Sequence, residues 1–308
     1  MAAAKAMLDA SHPKLPQPAA DSNSYALGEI CGHNVVIACL PAGVYGTTSA
    51  TSVAKDMLST YTAIRFGLMV GIGGGAPSEE VDIRLGDVVV SKPGGSSGGV
   101  VQYDFGKTMA GGEFEHTGTL NKPPPVVLTA LSHIQSKEML GRSRLNEFLS
   151  ATILQYAPQF RFVHPGAEQD HLYKAEYQHQ NSANSCDICD PNMRTQRSTR
   201  SSTQPKVFYG LVASGNQVMK DGPMRDQLAK KHKILCFEME AAGLMDHFPC
   251  LVIRGICDYS DSHKNGQWQE YAAATAAAYA KNVLSLASVA STQNTAQIGL
   301  KKGTSESP

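Results

Sequence analysis

Two acidic side chains stand where strand-like segments end. Glu240 follows the apolar run 233–237, and Asp258 follows the apolar run 251–257. In a parallel α/β sheet, residues at the carboxyl ends of the strands face the ligand crevice. Two carboxyls at this edge suit a reaction in which one protonates a leaving group while the other stabilises an electron-poor sugar. The pair is therefore the first candidate for a catalytic site.

Each acid also has a structural explanation. Glu240 stands where a strand is expected to give way to a helix, and a carboxylate is favoured at the positive end of a helix. Asp258 could belong to a turn in which Asp261 or Ser262 caps the next helix. For either residue alone the structural explanation is stronger, whereas two acids at adjacent strand ends make the catalytic explanation equally strong.

A glycine-rich segment, Gly71–Gly75, follows another apolar strand-like run. With Ala76 it fits the pattern G-x-G-x-x-A, but a dinucleotide fingerprint requires a helix that opens inside the motif. Pro77 and a new strand near Asp82 leave no room for a crossover helix, so we reject that interpretation. The glycines predict instead a close approach of the backbone to a phosphate or a ribosyl group, or simply a tight turn with positive φ.

Hydrophobic patterns predict the elements that must position these groups. Strands are expected at 25–30, 34–40, 63–70, 82–91, 207–213, 233–237 and 250–257. Helices are expected at 1–10, 48–60, 123–154, 224–232, 240–247 and 268–290. The alternation of strands and helices predicts a three-layer αβα domain with a mixed, mostly parallel central sheet. The polar segment 164–205 has no clear period and is expected to be an insertion or lid.

Composition narrows the class of protein. With 308 residues, 42% of them hydrophobic, the chain can form one large domain, which we place at 1–288, followed by a disordered tail at 289–308. The formal net charge of zero excludes an electrostatic nucleic-acid binder. No apolar stretch approaches the roughly 20 residues of a membrane span. Seven scattered cysteines are typical of a reduced, cytoplasmic protein.

The pair Cys186 and Cys189 forms a CxxC motif within the polar segment. Zinc would need two further ligands, and His164, His171 and His179 are available upstream. The spacing fits no standard zinc module, so we expect a reduced cysteine pair and no metal.

Five blocks in fixed order resemble the purine nucleoside and uridine phosphorylase superfamily, which includes the methylthioadenosine/adenosylhomocysteine nucleosidases. The blocks are 66–75, 82–90, 213–219, 237–242 and 254–261. The resemblance covers residues 1–288 and is closest to the fungal branch, in which this domain often precedes ankyrin, tetratricopeptide or NACHT regions. It implies the αβα fold and cleavage of the N-glycosidic bond of a purine nucleoside or nucleotide.

The resemblance also implies roles for individual residues. Asp258 aligns with the acid that protonates the purine at N7, and Glu240 with the glutamate that binds the ribose hydroxyls. The implied substrate-binding residues are Met239 under the sugar, Gly73 and Gly74 beside the ribosyl carbon, and Asn216, Gln217, Val218 and Met219 near the base. An acid shielded from water can supply the proton, while a carboxylate stabilises the oxocarbenium-like sugar. No organic cofactor is implied, and inorganic phosphate is a candidate co-substrate.

Two departures from the family pattern affect the expected activity. Ile72 and Met69 stand where phosphorylases place a serine and an arginine that hold phosphate, which favours hydrolysis over phosphorolysis. Relatives also begin with a central strand and an acid that activates water, and both are missing here. We therefore expect an open position in the sheet and impaired catalysis. The alternative is a nucleoside-sensing module of an immune-type multidomain protein, and in either case we expect a homo-oligomer.

Overall fold

The computed structural model describes residues 1–156, 162–179 and 185–298, in which strands and helices alternate. The strands are β1 Ala10–His12, β2 Tyr25–Ile30, β3 His33–Ala38, β4 Gly67–Gly75, β5 Val88–Ser91, β6 Val100–Gln102, β7 Gly106–Thr108, β8 Phe114–His116, β9 Val207–Ser214, β10 Ile234–Glu238 and β11 Cys250–Asp258. The helices are α1 Ala2–Ala6, α2 Thr47–Thr60, α3 Pro125–Met139, α4 Leu145–Tyr156, α5 Gly222–His232, α6 Gln269–Leu286 and α7 Val289–Gln293.

The central sheet has the strand order β10-β4-β11-β5-β9-β6, and β10 also pairs with β9. The pairs β11/β4, β5/β9, β6/β9 and β10/β9 are parallel, whereas β10/β4 and β11/β5 are antiparallel. Because β10 pairs with both β4 and β9, the sheet closes on itself. The expected mixed, mostly parallel sheet is confirmed.

Strand β11 forms the centre of the core, since all nine of its residues are buried. Helices α1, α3, α4 and α6 contribute to the apolar cluster on one side of the sheet, and α2 contributes to the cluster on the other. A strand covered on both faces needs a continuous apolar run rather than an alternating one, which explains the sequence of 250–257. The α6 helix approaches closely because Gly255 has no side chain, and a Cβ there would lie 1.8 Å from the backbone oxygen of Ala272.

A separate antiparallel sheet with the order β1-β2-β3 lies near the amino terminus. The turn between β2 and β3 contains Cys31 with φ 51° and Gly32 with φ 81°. Two consecutive residues with positive φ match the right-handed twist of a two-residue hairpin. The hairpin expected from the sequence around these residues is confirmed.

The edge of β4 that faces away from β11 is largely unpaired. Among the described residues, β10 pairs with β4 only at Gly74 and Gly75, whereas β11 pairs with β4 from Gly67 to Gly74. The outer edge of β3 likewise has no strand partner in the described part of the chain. Both strands contribute half-buried apolar side chains to the same cluster: Val35 from β3 and Leu68, Val70 and Ile72 from β4. The open position that the sequence predicts in the central sheet is not assigned to a particular strand, and it stays a prediction.

Several element boundaries differ from the sequence-based expectation. The glycine run 71–75 is the end of strand β4 and not a loop that follows it. The strand expected at 82–91 begins only at Val88, because Asp87 accepts a hydrogen bond from the Arg84 backbone (2.7 Å) and Gly86 adopts φ 87°. The helix expected at 240–247 is a single 3-10 turn, Ala241–Gly243.

Two long helices are interrupted. The helix expected at 123–154 is divided into α3 and α4, with Gly141 at φ 65° between them. The helix expected at 268–290 ends at Leu286, and Ser288 caps α7 by accepting a hydrogen bond from the backbone of Ser291. The predicted tail is described as far as Ile298, and residues 299–308 lie outside the described residues.

The predicted insertion at 164–205 is described at 164–179 and 185–205, where it forms two 3-10 turns and is otherwise irregular. Two of its arginines attach it to the sheet. Arg200 donates two hydrogen bonds of 2.8 Å to Asp87, and Arg197 donates one of 2.9 Å to the hydroxyl of Tyr259. Tyr259 in turn donates to Asp170 of the insertion. The insertion therefore packs directly beside the end of β11.

None of the helices in the described ranges combines the length and the apolar character needed to cross a membrane.

Candidate active site

Arg254 of β11 connects Glu238, the last residue of β10, with Glu240, two residues after it. Its Nη2 donates to Glu238 and lies 3.2 Å from Oε2 of Glu240. Glu238 also accepts hydrogen bonds from the backbone N–H groups of Glu240 and Ala241, each at 3.1 Å. The side chains of Arg254 and Glu238 are 4% and 1% exposed, whereas that of Glu240 is 15% exposed. Glu238 is thus a fixed structural partner, and Glu240 is the carboxylate that a ligand could reach.

Burial and charge act in opposite directions on Glu240. Burial raises the pKa of its carboxyl, and the Arg254 charge opposes this shift, while the neighbouring Glu238 adds to it. Charged groups in a low-dielectric site are stable only when they are paired and hydrogen-bonded. One buried guanidinium shared by two carboxylates leaves Glu240 incompletely neutralised, so a hydroxyl-bearing ligand could satisfy its remaining acceptor positions.

The glycines of β4 create the space for these groups. A Cβ at Gly71 would lie 2.2 Å from Nη1 of Arg254, and a Cβ at Gly73 would lie 3.1 Å from the backbone oxygen of Phe237. A Cβ at Gly74 would lie 2.5 Å from Oδ1 of Asp258 and 2.1 Å from Oγ of Ser260. The absence of side chains at these positions is thus a packing requirement of the site.

Asp258 lies at the end of β11, next to Gly74. The pairing of β11 with β4 changes register between Ile256 and Asp258, and such a bulge redirects a side chain relative to the regular strand. Its Oδ1 accepts a hydrogen bond from the Ser260 backbone at 2.9 Å, and its Oδ2 lies 3.3 Å from Nζ of Lys264. With 8% exposure, Asp258 is a largely buried carboxyl group with a cation beside it.

The two predicted acids occupy different positions along β4. Arg254, which binds Glu240, pairs with Gly71, whereas Asp258 pairs with Gly74. Three residues of extended strand span about 10 Å. The hydrogen bonds and ion pairs of the described residues do not join the two carboxylates to each other. The two acids lie beside different glycines of β4. A Cβ at Gly71 would face the opposite side of this strand from a Cβ at Gly74.

The predicted base-binding segment 216–219 follows β9, which pairs with β10. Asn216 is exposed, and its Oδ1 accepts hydrogen bonds from the backbone and side chain of Thr47 at 3.1 and 3.0 Å. The backbone oxygen of Gln217 accepts a hydrogen bond of 2.8 Å from the hydroxyl of Tyr103. Val218 is 43% exposed, whereas Met219 is 7% exposed and packs in a small apolar cluster. Hydrogen bonds to Thr47 and to Tyr103 therefore hold this segment in place.

Of the remaining predicted residues, Gly73 and Gly74 are buried beside Arg254 and Asp258, respectively, and Met239 is half-buried between the two glutamates in sequence. The sequence reasoning missed Arg254 and Lys264 as partners of the acids. A signal for Arg254 was present, since a lone arginine in the apolar run 251–257 requires a buried counter-charge. No comparable signal marks Lys264, which lies in a polar loop.

A cavity of about 980 Å³ lies elsewhere, and none of the predicted site residues lines it. Its polar lining includes Lys92, Lys231, His232 and Lys233. Volume alone would favour this cavity as a ligand site. The chemistry favours the acids beside β4, because buried carboxylates paired with cations are typical of functional sites whereas surface lysines are common everywhere.

No protein-family model matches the chain. A "Nucleotide-binding leucine-rich repeat (NLR)-like protein" of the fungus Hyaloscypha variabilis is 47% identical over 289 residues, which are 94% of this chain and 28% of that protein. An "ATP nucleosidase Cap17" of Escherichia coli is 24% identical over 238 residues, which are 75% of this chain and 38% of that protein. The chain thus spans well under half the length of these curated relatives.

Solved structures with similar folds are nucleoside hydrolases. Futalosine hydrolase of Helicobacter pylori aligns with a TM-score of 0.56 at 14% identity, over 92% of this chain and 91% of the other. The 5′-methylthioadenosine/S-adenosylhomocysteine nucleosidase of Neisseria meningitidis, in complex with methylthio-immucillin-A, aligns with a TM-score of 0.55 at 14% identity. That alignment covers 92% of this chain and 95% of the other. The resemblance stated from the sequence is therefore confirmed at the level of the fold, which is that of these nucleosidases.

Proposed function

We propose that this chain hydrolyses the N-glycosidic bond of a purine nucleoside or nucleotide. The observation that carries the proposal is the pair of largely buried, cation-paired carboxyls, Glu240 and Asp258, held on either side of a strand whose glycines leave room for them. The positions at which they meet β4 are separated by about 10 Å, which is comparable to the length of a nucleoside. Because the two carboxyls lie on opposite sides of β4, the proposal requires a ligand that passes around the end of this strand to reach both groups.

In this proposal Asp258 is the general acid at the base. A purine leaves a sugar readily only when its ring accepts a proton, and a carboxyl group at the mouth of a buried strand can deliver one. The Lys264 ammonium, 3.3 Å from Oδ2, stabilises the carboxylate that remains after the proton has left. The hydrogen bond from the Ser260 backbone fixes the orientation of the other oxygen.

Glu240 is the group that holds the sugar. As the base departs, positive charge develops on the ribosyl carbon and ring oxygen, as in the oxocarbenium-like state of glycoside cleavage. A carboxylate bound to the ribose hydroxyls is positioned to stabilise that charge and to fix the ring. The hydrogen bond from Arg254 keeps Glu240 in place. Met239 would pack under the sugar.

Water is the proposed nucleophile. The side chains at 69 and 72, where phosphorylases hold phosphate, are the apolar Met69 and Ile72, which offer no hydrogen bond to an anion. The names of similar proteins support this choice. Futalosine hydrolase, the methylthioadenosine nucleosidase and the ATP nucleosidase are all named for hydrolysis or nucleosidase activity. Inorganic phosphate remains the alternative acceptor that the assay must include.

A second candidate keeps the fold without turnover. The NLR-like relative is more than three times as long as the segment it shares with this chain, so the shared segment is one part of a larger protein. In that context the domain would bind a purine nucleoside or nucleotide and report its presence. The unpaired edge of β4 favours this candidate, because a strand that is paired on one side only would hold its glycines less firmly beside the acids.

The deciding experiment incubates the purified chain with adenosine, inosine, guanosine and ATP, with and without phosphate, and measures free base by chromatography. We expect base release without phosphate from at least one of these substrates, and we expect Asp258→Asn to abolish it. General acid catalysis is worth about 10²–10⁴-fold, so the loss in kcat should be of that order. Release only with phosphate would make the protein a phosphorylase, and binding without release would support the sensing role.

The matched control is Asp56→Asn, which removes a half-buried carboxylate on α2, away from the glycine strand. This variant should keep the full rate. If Asp258→Asn were as active as Asp56→Asn, Asp258 would have no role as the acid.

A further inference from the structure

Three side chains that ligate metals converge within the insertion. One ligand atom each from His179, Cys186 and Cys189 lies within 4.8 Å of the other two. Cys189 is buried, and His179 and Cys186 are half-buried. The sequence offered His164, His171 and His179 as further ligands but favoured a reduced cysteine pair, because the spacing fits no standard zinc module; of the three, the fold brings His179 to the cysteines.

The local backbone arranges these groups for binding. The N–H of Cys189 donates to the backbone oxygen of Cys186 at 3.1 Å, which closes the CxxC segment into a turn. Nε2 of His179 lies 3.0 Å from the backbone oxygen of Ser185. Because a carbonyl only accepts, Nε2 carries the hydrogen and Nδ1 is the basic nitrogen of the ring. Metal-binding histidines usually make such a bond through their second nitrogen, which fixes the ring and its tautomer.

A fourth candidate ligand, His263, lies next to these three. It is 7% exposed, and neither of its ring nitrogens has a hydrogen-bond partner among the described residues, the nearest carboxylate oxygen being Oδ1 of Asp261 at 3.8 Å from Nδ1. Its ring centre is 5.4 Å from that of His179, and Sγ of Cys186 lies 3.7 Å from its backbone oxygen. A buried imidazole without a partner is costly unless some further group satisfies it. A metal ion between the two rings would supply that partner.

The donor set selects the metal. Two thiolates and two imidazoles form a tetrahedral set typical of structural zinc, whereas calcium and magnesium require oxygen ligands. Bond lengths of about 2.0–2.3 Å place tetrahedral ligand atoms roughly 3.3–3.8 Å apart. The ligand atoms of His179, Cys186 and Cys189, which lie within 4.8 Å of one another, therefore need to move by about 1 Å to enclose the ion, and His263, which is outside this group, needs to move farther.

We propose that His179, Cys186 and Cys189 bind a structural zinc ion, with His263 as the fourth ligand. Binding replaces the two thiol protons, which leave to solvent, with two zinc–sulfur bonds, and no oxidant or reductant takes part. The site joins the insertion to the segment after Asp258. The backbone N–H of His179 also donates to Oγ of Ser262 at 2.9 Å, so the ion would reinforce an existing contact. The zinc thereby braces the loop that carries Asp258 and Lys264.

The test measures metal content and the spectrum of a cobalt-substituted protein. The full chain, purified with reductant and without chelator, should contain about one equivalent of zinc. The double variant Cys186→Ser/Cys189→Ser should contain none, and Cys39→Ser, which changes an exposed cysteine elsewhere, should retain the metal. Cobalt(II) exchanged into the site should give the absorption of a tetrahedral ion with a thiolate-to-metal charge-transfer band. That band should disappear in the double variant.

A second measurement addresses the bracing role and the fourth ligand. Removing zinc with a chelator should speed hydrogen exchange in the segments 172–179 and 258–264 and leave that of β9 unchanged. His263→Gln should weaken zinc retention in competition with a chromogenic chelator by about 10-fold or more. Full retention by His263→Gln would remove it as a ligand.

The proposal fails if the reduced wild-type chain contains no zinc and takes up none when zinc is added. It also fails if thiol titration of freshly purified protein shows that Cys186 and Cys189 form a disulfide. None of these measurements involves a substrate, so their outcome is independent of whether the chain cleaves a nucleoside.

Discussion

At the scale of single residues, Arg254 organises the site. It is an always-charged group inside the most buried strand, and its two carboxylate partners, Glu238 and Glu240, lie at the end of β10, on the far side of β4. Lysine could not replace it well, because a guanidinium presents several donors in a fixed plane and can bind two carboxylates and a carbonyl at once. Nη1 uses this capacity by donating to the backbone oxygen of Ile72 at 3.3 Å. The arginine thus connects β4, β10 and β11 at one point.

Replacing Arg254 with methionine should destabilise the protein strongly. The substitution leaves Glu238 and Glu240 buried beside each other without a counter-charge, and breaking a buried pair in this way costs about 3–5 kcal/mol. Chemical denaturation followed by fluorescence would measure the loss in the free energy of unfolding. Adding Glu238→Gln and Glu240→Gln to the same variant should recover part of that loss. The exposed pair of Arg144 and Glu147 provides the control, and Arg144→Met should have a far smaller effect.

Gly74 is the residue at which packing and catalysis are predicted to be inseparable. Gly74→Ala would place a Cβ 2.5 Å from the Asp258 carboxylate and 2.1 Å from Oγ of Ser260, so both groups must move. We expect a loss of about 1–3 kcal/mol in stability from overpacking. We also expect a decrease of about 10²-fold in kcat, because the acid is displaced by roughly 1 Å.

Gly94→Ala is the matched control for this substitution, since a Cβ at Gly94 would meet no atom within 4 Å. Its free energy of unfolding should stay within about 0.5 kcal/mol of the wild type, and its activity should be unchanged. Equal kinetics for the two variants would show that the acid does not act beside Gly74.

At the scale of elements, the ends of the strands decide where the acids lie. The sequence analysis assumed that β10 and β11 end at the same edge of a parallel sheet. β10 instead runs antiparallel to β4 and β11 runs parallel to it, so the two acids reach β4 from opposite directions. The bulge before Asp258 then turns its side chain toward Gly74. The two acids therefore flank β4 because strands of opposite direction meet there.

The unpaired edge of β4 is predicted to accept a further strand. The chain extended at its amino terminus by a strand of about eight apolar residues should pair with residues 67–73, which have no partner on that side among the described residues. Hydrogen exchange measured by mass spectrometry should slow in the peptide that contains β4. We also expect turnover to rise, because a fixed β4 would hold its glycines in the geometry that the acids require.

The control is the same extension with proline at alternate positions, because proline cannot donate to a strand ladder. It should neither slow hydrogen exchange in β4 nor raise the turnover. Equal exchange and equal turnover with and without the apolar extension would refute both the open position and the expected impairment of catalysis.

At the scale of the whole molecule, the insertion links parts of the fold that are distant in sequence. Arg197 and Arg200 attach it to Tyr259 and Asp87, and the proposed zinc site attaches it to the segment around His263. All of these contacts surround the end of β11. The insertion is therefore placed to control how rigidly Asp258 is held, although its own sequence shows no periodic pattern.

Much of the architecture could be predicted from local sequence. The apolar run of β11 and the alternating hairpin around Cys31 specify their own structure, because burial on two faces or one dictates which positions are hydrophobic. The ordered blocks around Gly71–Gly75, Glu240 and Asp258 predicted the superfamily fold, which the solved relatives confirm. Local pattern also failed where a few side chains override it, as at Asp87, whose hydrogen bonds turn an expected strand into a loop.

The sequence by itself determined the αβα class and much of the order of the elements, because these depend on residue type and on period, and it proposed the two acids. Only the tertiary structure decided which groups are neighbours: Arg254 with two glutamates, Lys264 with Asp258, and His179 with the CxxC pair. These three sets of contacts share one physical basis. Contacts between residues far apart in the chain depend on strand direction and register, and the spacing of residues along the chain carries no record of either.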